Sequence, residues 1–152
     1  MMIPNLYWAK YARPEGYEEA SRRENRILLM LERAGEVAVS ACLPVFRSFE
    51  PCIRKLPEGI FFDMRIILWA AAFGLMILYE LYWLRYFRSS RTLKDMYSSY
   101  AGFPVAGASL PVIAALLLGI YSRNLVMLCA SVILGTGHIG IHLAHRKETE
   151  NA

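Results

Sequence analysis

Hydrophobic positions in this chain fall in long blocks instead of the short amphipathic pattern that soluble helices show. Three blocks of nineteen or twenty residues are almost free of charge, at 66–84, 103–121 and 125–144. Their titratable side chains are Glu80, Cys129, His138 and His142. Because a bilayer core about 30 Å thick is spanned by roughly twenty apolar residues in a helix, each block predicts a membrane-spanning helix.

A fourth block, residues 27–46, is apolar but contains Glu32, Arg33 and Glu36. Each charge at the centre of a span costs about 2.5 to 3.5 kcal/mol, so this block would not insert alone. Its helix either lies in the membrane interface or spans with its polar stripe turned toward neighbouring helices, where Arg33 and Glu36 can pair at i,i+3.

The distribution of basic residues favours the spanning alternative. With four spans, eleven Lys and Arg lie on the side of the termini and five on the other, and the basic loop at 85–94 faces the cytoplasm. If residues 27–46 lie flat, the same loop faces outward. We therefore expect four spans with both termini in the cytosol.

These patterns predict an all-α integral membrane bundle of three to four transmembrane helices with a polar, helical N-terminal arm. The predicted boundaries are a cytoplasmic arm at 1–26, a bundle at 27–146 with spans near 27–46, 65–87, 103–121 and 125–145, and a short tail at 147–152. The chain is 56% apolar and 12% aromatic, which argues against the alternative of a soluble all-helical protein. Aromatic residues near the span ends, including Tyr79, Tyr82, Trp83, Tyr86 and Tyr97, are typical of a membrane-interface belt.

Small residues predict where helices approach closely. Gly137, Gly140 and Ala144 form one strip of the last span, which lets another backbone come near. Pro111 in the third span frees a carbonyl group that hydroxyls such as that of Ser109 would satisfy. Only residues 122–124 separate the last two spans, which forces an antiparallel hairpin.

Polar side chains inside the predicted spans fall at one depth, in the cytoplasmic half. We expect them to form one intramembrane cluster, whose members are Glu32, Arg33, Glu36, Glu80, Ser109, His138 and His142. An ionisable residue within the membrane is a functional-site hypothesis by default, although the cluster could also serve only as interhelical hydrogen bonding. His145, beside Arg146 and Lys147, is expected to reach the lipid headgroups.

Four stretches of the chain resemble a family of small, uncharacterised bacterial multi-pass membrane proteins. They read "IPNLYWAKYARPEGYEE", "ENRILLMLERAGEV", "YELYWLRYFRSSRTLKDMYSSYAGFPVAGASLPV" and "ILGTGHIGIHLAHRKE". The resemblance implies an integral protein of the cytoplasmic membrane and supplies no catalytic residues. It also implies a further apolar segment before Ile3, in agreement with an opening that looks like the last turn of a helix.

Three functions remain open, and the first is the main expectation. A non-enzymatic membrane subunit or scaffold would use the arm and the basic loop to contact lipid, a partner membrane protein or a second copy of the chain. A small proton- or cation-linked transporter would use Glu80 with His138 and His142, because histidine titrates near neutrality. A metal-binding protein could use His138 and His142 as ligands with Glu80 or Glu36 as the third, although no complete metal motif is present.

Other classes of function lack support in the sequence. No cofactor motif, catalytic signature or nucleic-acid-reading module is present, and membrane topology accounts for the net charge of +4. The three cysteines form no metal spacing, and an odd number argues against a disulfide framework.

Overall fold

The computed structural model describes residues 2–45, 53–56, 59–62 and 65–151. This part of the chain forms seven helices and one hairpin. In chain order the elements are α1 (Met2–Tyr11), α2 (Tyr17–Arg22), α3 (Arg26–Val45), β1 (Ile53–Leu56), β2 (Gly59–Phe62), α4 (Ile66–Arg88), α5 (Leu93–Met96), α6 (Ala106–Ser122) and α7 (Leu125–Asn151). The four long helices α3, α4, α6 and α7 coincide with the four predicted spans.

The long helices pack side by side in the order α3, α7, α6, α4, and each is antiparallel to its neighbour. Helices α6 and α7 form the predicted hairpin, in which Gly119 of α6 faces Leu128 of α7. Asparagine side chains begin two helices: Asn25 Oδ1 accepts from the Ile27 amide at 2.9 Å, and Asn124 Oδ1 accepts from the Met127 amide at 3.0 Å. Helices α3 and α4, at the two edges of this row, make few direct contacts, which leaves a cleft between them.

The N-terminal helices pack onto one end of the bundle. The Tyr79 hydroxyl donates to Oδ1 of Asn5 at 2.9 Å, and the Tyr86 hydroxyl donates to the Ala12 carbonyl at 2.8 Å. Helix α1 therefore lies parallel to the second half of α4. We call the end of the bundle that contacts α1 and α2 the arm end. The predicted arm is helical, and its residues Ala12 and Ala20 are buried.

Helices α4 and α7 are long and apolar enough to cross a membrane, with mean hydropathy of 1.7 over the most apolar 18 residues of each. A core helix of a soluble protein can meet the same criterion, but such a helix is mostly buried. Only 22% of that segment in α4 and 33% in α7 is buried. Two helices thus point to membrane association, and the four-span arrangement stays a prediction.

The predicted all-helical class is confirmed, and the described residues outside the helices include one short hairpin. Strands β1 and β2 pair antiparallel, with Ile53 opposite Phe62 and Leu56 opposite Gly59. The sequence contains a signal for this hairpin in Pro57 and Gly59, because both residue types favour turns.

Two helix boundaries also differ from the prediction. Helix α6 begins at Ala106, not at 103, because Tyr100 and Phe103 exchange backbone hydrogen bonds in a turn and Val105 adopts a positive φ of 40°. Helix α7 continues to Asn151, and Arg146 Nε bonds Glu150 at 2.8 Å on this last segment. Most of the predicted tail at 147–152 is therefore helical.

Candidate functional site: a polar cavity at the arm end

Two glycines allow α3 and α7 to cross at very short range. A Cβ atom added at Gly137 of α7 would lie 2.3 Å from the backbone nitrogen of Glu32, and one added at Gly35 of α3 would lie 2.4 Å from the α7 backbone. No side chain fits in such a gap. The predicted close approach is confirmed at Gly137 and Gly140, which both face α3, whereas Ala144 is exposed.

Glu32 and His138 form a hydrogen-bonded pair beside this crossing. Oε1 of Glu32 and Nδ1 of His138 are in direct hydrogen-bond contact, and Glu32 is only 9% exposed. A buried carboxylate is costly unless it is paired, so the close crossing stabilises Glu32 by bringing the imidazole to it. Arg33, the residue after Glu32, pairs with Glu36 one turn further along α3 at 3.1 Å, as the i,i+3 spacing predicts.

A row of rings continues from His138 toward the end of α7. The imidazoles of His138 and His142 lie 4.6 Å apart between ring centres, and His142 meets the edge of Tyr97 at 5.1 Å. Tyr97 in turn stacks on His145 at 5.0 Å. Four titratable side chains thus follow one another on a single strip of the arm end.

The structure corrects the expected position of His145, which does not reach outward to lipid headgroups. Its side chain is buried, with Nε2 at 3.1 Å from Glu24 and Nδ1 at 3.5 Å from Glu148. The reason is helical geometry, since position 145 shares the inward strip of His138 and His142. Glu148 is half exposed and connects the row to the surface.

Two tyrosines next to the row remain protonated. Burial raises the pKa of the Tyr97 phenol, and nearby Tyr17 and Glu24 raise it further. Burial likewise raises the pKa of Tyr17, with added contributions from Glu24 and Glu32. Both phenols are therefore neutral at physiological pH.

A cavity of about 280 Å³ lies beside the Glu32–His138 pair at the arm end. We call it the arm-end cavity. Its charged and imidazole lining consists of Glu24, Glu32, Arg33, Glu36, His138 and His142. Its aromatic lining, which we call the aromatic wall, consists of Trp8, Tyr17, Tyr79, Trp83 and Tyr97. Five of the seven predicted cluster residues therefore meet at one cavity.

Some buried polar atoms around the arm-end cavity have no hydrogen-bond partner among the described residues. The clearest of them is Nδ1 of His142, whereas the indole groups of Trp8 and Trp83 interact with the hydroxyls of Tyr86 and Tyr79. Buried polar groups are normally bonded, so atoms of this kind mark places where a ligand or water binds. Together with the charged lining, they make the cavity the best candidate for a binding site.

Glu80 and Ser109 do not line the arm-end cavity. Glu80 is exposed and lines a separate cleft of about 490 Å³ between α3 and α4, because on α4 the neighbouring Tyr79 faces the cavity instead. Ser109 is buried, and its hydroxyl donates to the Pro104 carbonyl at 2.8 Å, at the start of α6. The expected grouping of Glu80 with His138 is therefore not seen in the structure.

The metal hypothesis gains no support from this geometry. Within the described ranges, no group of three or more His, Cys, Asp and Glu side chains is arranged to hold a metal ion. Of the two expected third ligands, Glu80 lines the cleft, whereas Glu36 lines the cavity with His138 and His142 but pairs with Arg33 at 3.1 Å.

The aromatic wall and Glu24 were not among the predicted site residues. The belt interpretation placed Tyr79, Trp83 and Tyr97 at the lipid interface, whereas all three are buried inside the bundle. A signal was available in the polar atoms of Tyr and Trp, which need partners when they are buried. The partners come from α1, 74 residues away in the case of Asn5 and Tyr79, and no local pattern shows such a pairing.

Comparisons with known protein families, with curated proteins and with solved structures find no match to this chain. The site is therefore interpreted from its own geometry.

Proposed function

We propose that this protein is a multi-pass protein of the cytoplasmic membrane that moves protons or small cations through the arm-end cavity. The main support is the buried Glu32–His138 pair at the α3–α7 crossing, which borders a cavity with further titratable groups. A carboxylate and an imidazole in contact can exchange a proton or release it to make room for a cation.

Exposed apolar side chains support placement of all four long helices in lipid. Several large hydrophobic residues with at least 39% exposure occur on each of α3, α4 and α7, among them Val37, Phe73 and Val132, whereas α6 exposes Ile120 and lies mostly buried between its neighbours. Soluble monomers rarely expose apolar surface of this extent. In this arrangement Glu32 pairs with α7 and not with lipid, which offsets the cost that a charge imposes on α3.

The row of titratable groups supplies one route to the pair, and the α3–α4 cleft supplies the other. Between Glu148 at the surface and His138 lie the rings of His145, Tyr97 and His142, with neighbouring centres 4.6 to 5.1 Å apart. Because these are packing contacts, water between the polar atoms would carry the proton along this route. The cleft begins one helical turn beyond the cavity and contains Glu80. In this proposal Glu32 has the central role that the sequence assigned to Glu80.

The proposal is tested by ion flux in proteoliposomes that contain a pH-sensitive dye. A potassium diffusion potential or a sodium gradient drives the flux, and protein-free liposomes give the background rate. We expect flux above background for the natural sequence and for the control Glu150→Gln, whose glutamate lies at the exposed end of α7. Glu32→Gln should reduce the flux to background while the variant stays folded. Equal flux with Glu32→Gln, or background flux with all three proteins, would contradict the proposal.

The second candidate is the membrane subunit or scaffold expected from the sequence. Four exposed basic residues at the arm end favour it, namely Arg85, Arg88, Arg91 and Lys94, because such a group attracts anionic lipid headgroups or an acidic partner. A scaffold predicts background flux together with loss of anionic-lipid retention when all four are replaced by Ala. Native mass spectrometry measures that retention and any second copy of the chain. Unchanged lipid retention would count against this candidate.

A further inference from the structure

We infer that the arm-end cavity and the adjoining α3–α4 cleft together bind an amphiphilic organic ammonium ion, with its charged head in the cavity and its apolar group in the cleft. The inference rests on the proposed function and adds an organic cation to the protons or small cations that the protein moves. It goes further than transport of protons or small cations because it uses the aromatic wall and the cleft, which such ions do not need.

The charges of the arm-end cavity favour a cation. Three carboxylates line it, those of Glu24, Glu32 and Glu36, against the single guanidinium of Arg33. That guanidinium already pairs with Glu36 at 3.1 Å. When the histidines are neutral the lining has a net negative charge, which raises the local concentration of cations.

The aromatic wall favours an organic cation over a hydrated metal ion. Ammonium groups bind over the faces of Trp and Tyr rings within about 6 Å of the ring centre. The wall already has one such contact at its edge, since the Arg13 guanidinium lies 5.7 Å from the centre of Trp8. Rings cannot replace the oxygen ligands of an inorganic ion, and the described residues contain no metal-holding group.

The buried imidazole of His142 gives the head a specific contact. This side chain is 9% exposed, lines the cavity, and has Nδ1 without a hydrogen-bond partner in the described part of the chain. In the tautomer protonated at Nε2, Nδ1 accepts a hydrogen bond from an N–H donor or from water around the head.

The cleft adjoins the cavity, because α3 and α4 line both of them. On α3 the lining passes from Glu36 to Val39, and on α4 it passes from Tyr79 to Met76, about one turn in each case. The cleft is lined mainly by aliphatic and aromatic side chains, with Glu80 as its one charged lining residue among those described. The cavity of about 280 Å³ and the cleft of about 490 Å³ together fall within the roughly 300–1,000 Å³ of ligand sites.

Tryptophan fluorescence gives a direct binding test. The chain contains Trp8, Trp69 and Trp83, and the first and last line the cavity. In a Trp69→Phe background, purified protein in a non-ionic maltoside detergent is titrated with hexyltrimethylammonium, tetramethylammonium or hexanoate. We expect a saturable change with hexyltrimethylammonium, about tenfold weaker apparent binding of tetramethylammonium and none of hexanoate.

Variants locate the site of this binding. Glu32→Gln should abolish the saturable change, while Glu150→Gln should leave it unchanged. Because Glu32 also supports the α3–α7 crossing, Tyr17→Leu provides a second test and should weaken binding about tenfold through loss of a ring face. Ile77→Ser, at an exposed position in the cleft, should weaken the binding of hexyltrimethylammonium and leave the binding of tetramethylammonium unchanged.

Several outcomes would overturn the inference: equal binding of hexanoate, saturation unaffected by both Glu32→Gln and Tyr17→Leu, or no saturable change at all. The outcomes also separate this inference from the proposed function. Glu32-dependent proton flux without ammonium binding would reject the substrate class alone. Saturable, Glu32-dependent ammonium binding without any flux would support the site and reject transport.

Discussion

The two principal helix contacts of this bundle are built in opposite ways. Helices α3 and α7 meet through glycines and the hydrogen-bonded Glu32–His138 pair, and their backbones nearly touch at Gly137. Helices α4 and α6 meet through aromatic bulk, since a Cβ atom added at Gly107 of α6 would lie 3.0 Å from the ring of Tyr82. The first contact compensates for the charges of α3. The second allows α4, which is apolar on its own, to use its hydroxyl groups for fixing the arm and loops.

This difference explains why the candidate site lies where it does. Helix α3 contains charges that its own hydropathy does not offset, and the glycine crossing supplies the imidazole that pairs with Glu32. The aromatic side of the bundle supplies the opposite wall of the cavity through Tyr79 and Trp83. The cavity therefore lies where a polar contact and an aromatic contact face each other.

The strongest expected effect comes from one methyl group at the α3–α7 crossing. Gly137→Ala places a Cβ atom against the Glu32 backbone, which cannot move aside as a side chain would, and should cost at least about 3 kcal/mol. The matched control is Gly74→Ala on α4, where nothing lies within 4 Å of the added atom. That change should be neutral or slightly stabilising.

Thermal unfolding in detergent measures the stability of both glycine variants, and alkylation of a thiol measures how far α3 separates from the bundle. Cys42 on α3 is buried, so in a Cys52→Ser, Cys129→Ser background its alkylation reports separation of α3 from the bundle. Rapid alkylation is expected for Gly137→Ala and slow alkylation for Gly74→Ala. Similar behaviour of the two variants would refute the close crossing.

A double-mutant cycle on Glu32 and His138 tests the ion pair itself. Glu32→Gln and His138→Gln should each destabilise the protein, with a coupling energy of about 1–3 kcal/mol between them, because the two side chains are in direct contact. The reference cycle uses Glu36 with His138 and should show coupling below about 0.5 kcal/mol, because Glu36 pairs with Arg33. Both cycles are read from unfolding free energies, and equal couplings would count against the pairing.

Substitutions on the aromatic side of the bundle should destabilise the protein less. Tyr86→Phe removes the hydroxyl that donates to the Ala12 carbonyl and should cost about 1 kcal/mol. The same loss should loosen α1, which limited proteolysis of the arm would detect. Tyr11→Phe is the control, because Tyr11 is 61% exposed. Equal protease resistance of the Tyr86→Phe variant and the natural sequence would show that this bond does not hold the arm.

The smallest effect is expected at the capping box of α5. Burial opposes ionisation of Asp95, but hydrogen bonds from the backbone and side chain of Thr92 outweigh it and lower the pKa of this carboxyl below 3.8. Asp95→Asn should therefore cost about 0.5–1 kcal/mol at pH 7. A depressed pKa stabilises the fold above the unfolded value, so the advantage of Asp95 should disappear as the pH falls below about 4.

Unfolding free energies of both proteins across this pH range check the capping prediction. Thr92→Ser keeps a hydroxyl at the cap and serves as the control that should leave stability nearly unchanged. A stability difference that stays constant down to pH 3 would argue against an ionised Asp95 in the cap.

Helix positions could be predicted from the sequence because they depend on local hydropathy and local caps. The span predicted at 27–46 corresponds to helix α3, Arg26–Val45. The span predicted to start at 125 corresponds to helix α7, which begins at Leu125 after the Asn124 cap. The i,i+3 pair of Arg33 with Glu36 was predictable for the same reason, since helical spacing alone sets it.

Features that depend on helix rotation or on distant partners could not be predicted. Whether Tyr79 or Glu80 faces the arm-end cavity depends on how α4 is turned against α6, and sequence depth alone does not give that angle. The i,i+4,i+7 spacing places His145 on the strip of His138 and His142, but its pairing with Glu24, which lies 121 residues away in the chain, could not be predicted. The sequence therefore placed these residues in one cluster because they lie at the same depth, but the rotation of each helix about its axis turns some of them in different directions.

The central claim, that Glu32 contacts His138 inside the bundle, is most directly tested by nitrogen NMR of protein labelled at its three histidines. His138→Gln identifies the His138 ring signals. We predict that Glu32→Gln shifts these signals strongly, that Glu36→Gln leaves them nearly unchanged, and that Glu24→Gln shifts only the His145 signals. A His138 spectrum that is the same with and without the Glu32 carboxylate would contradict the account.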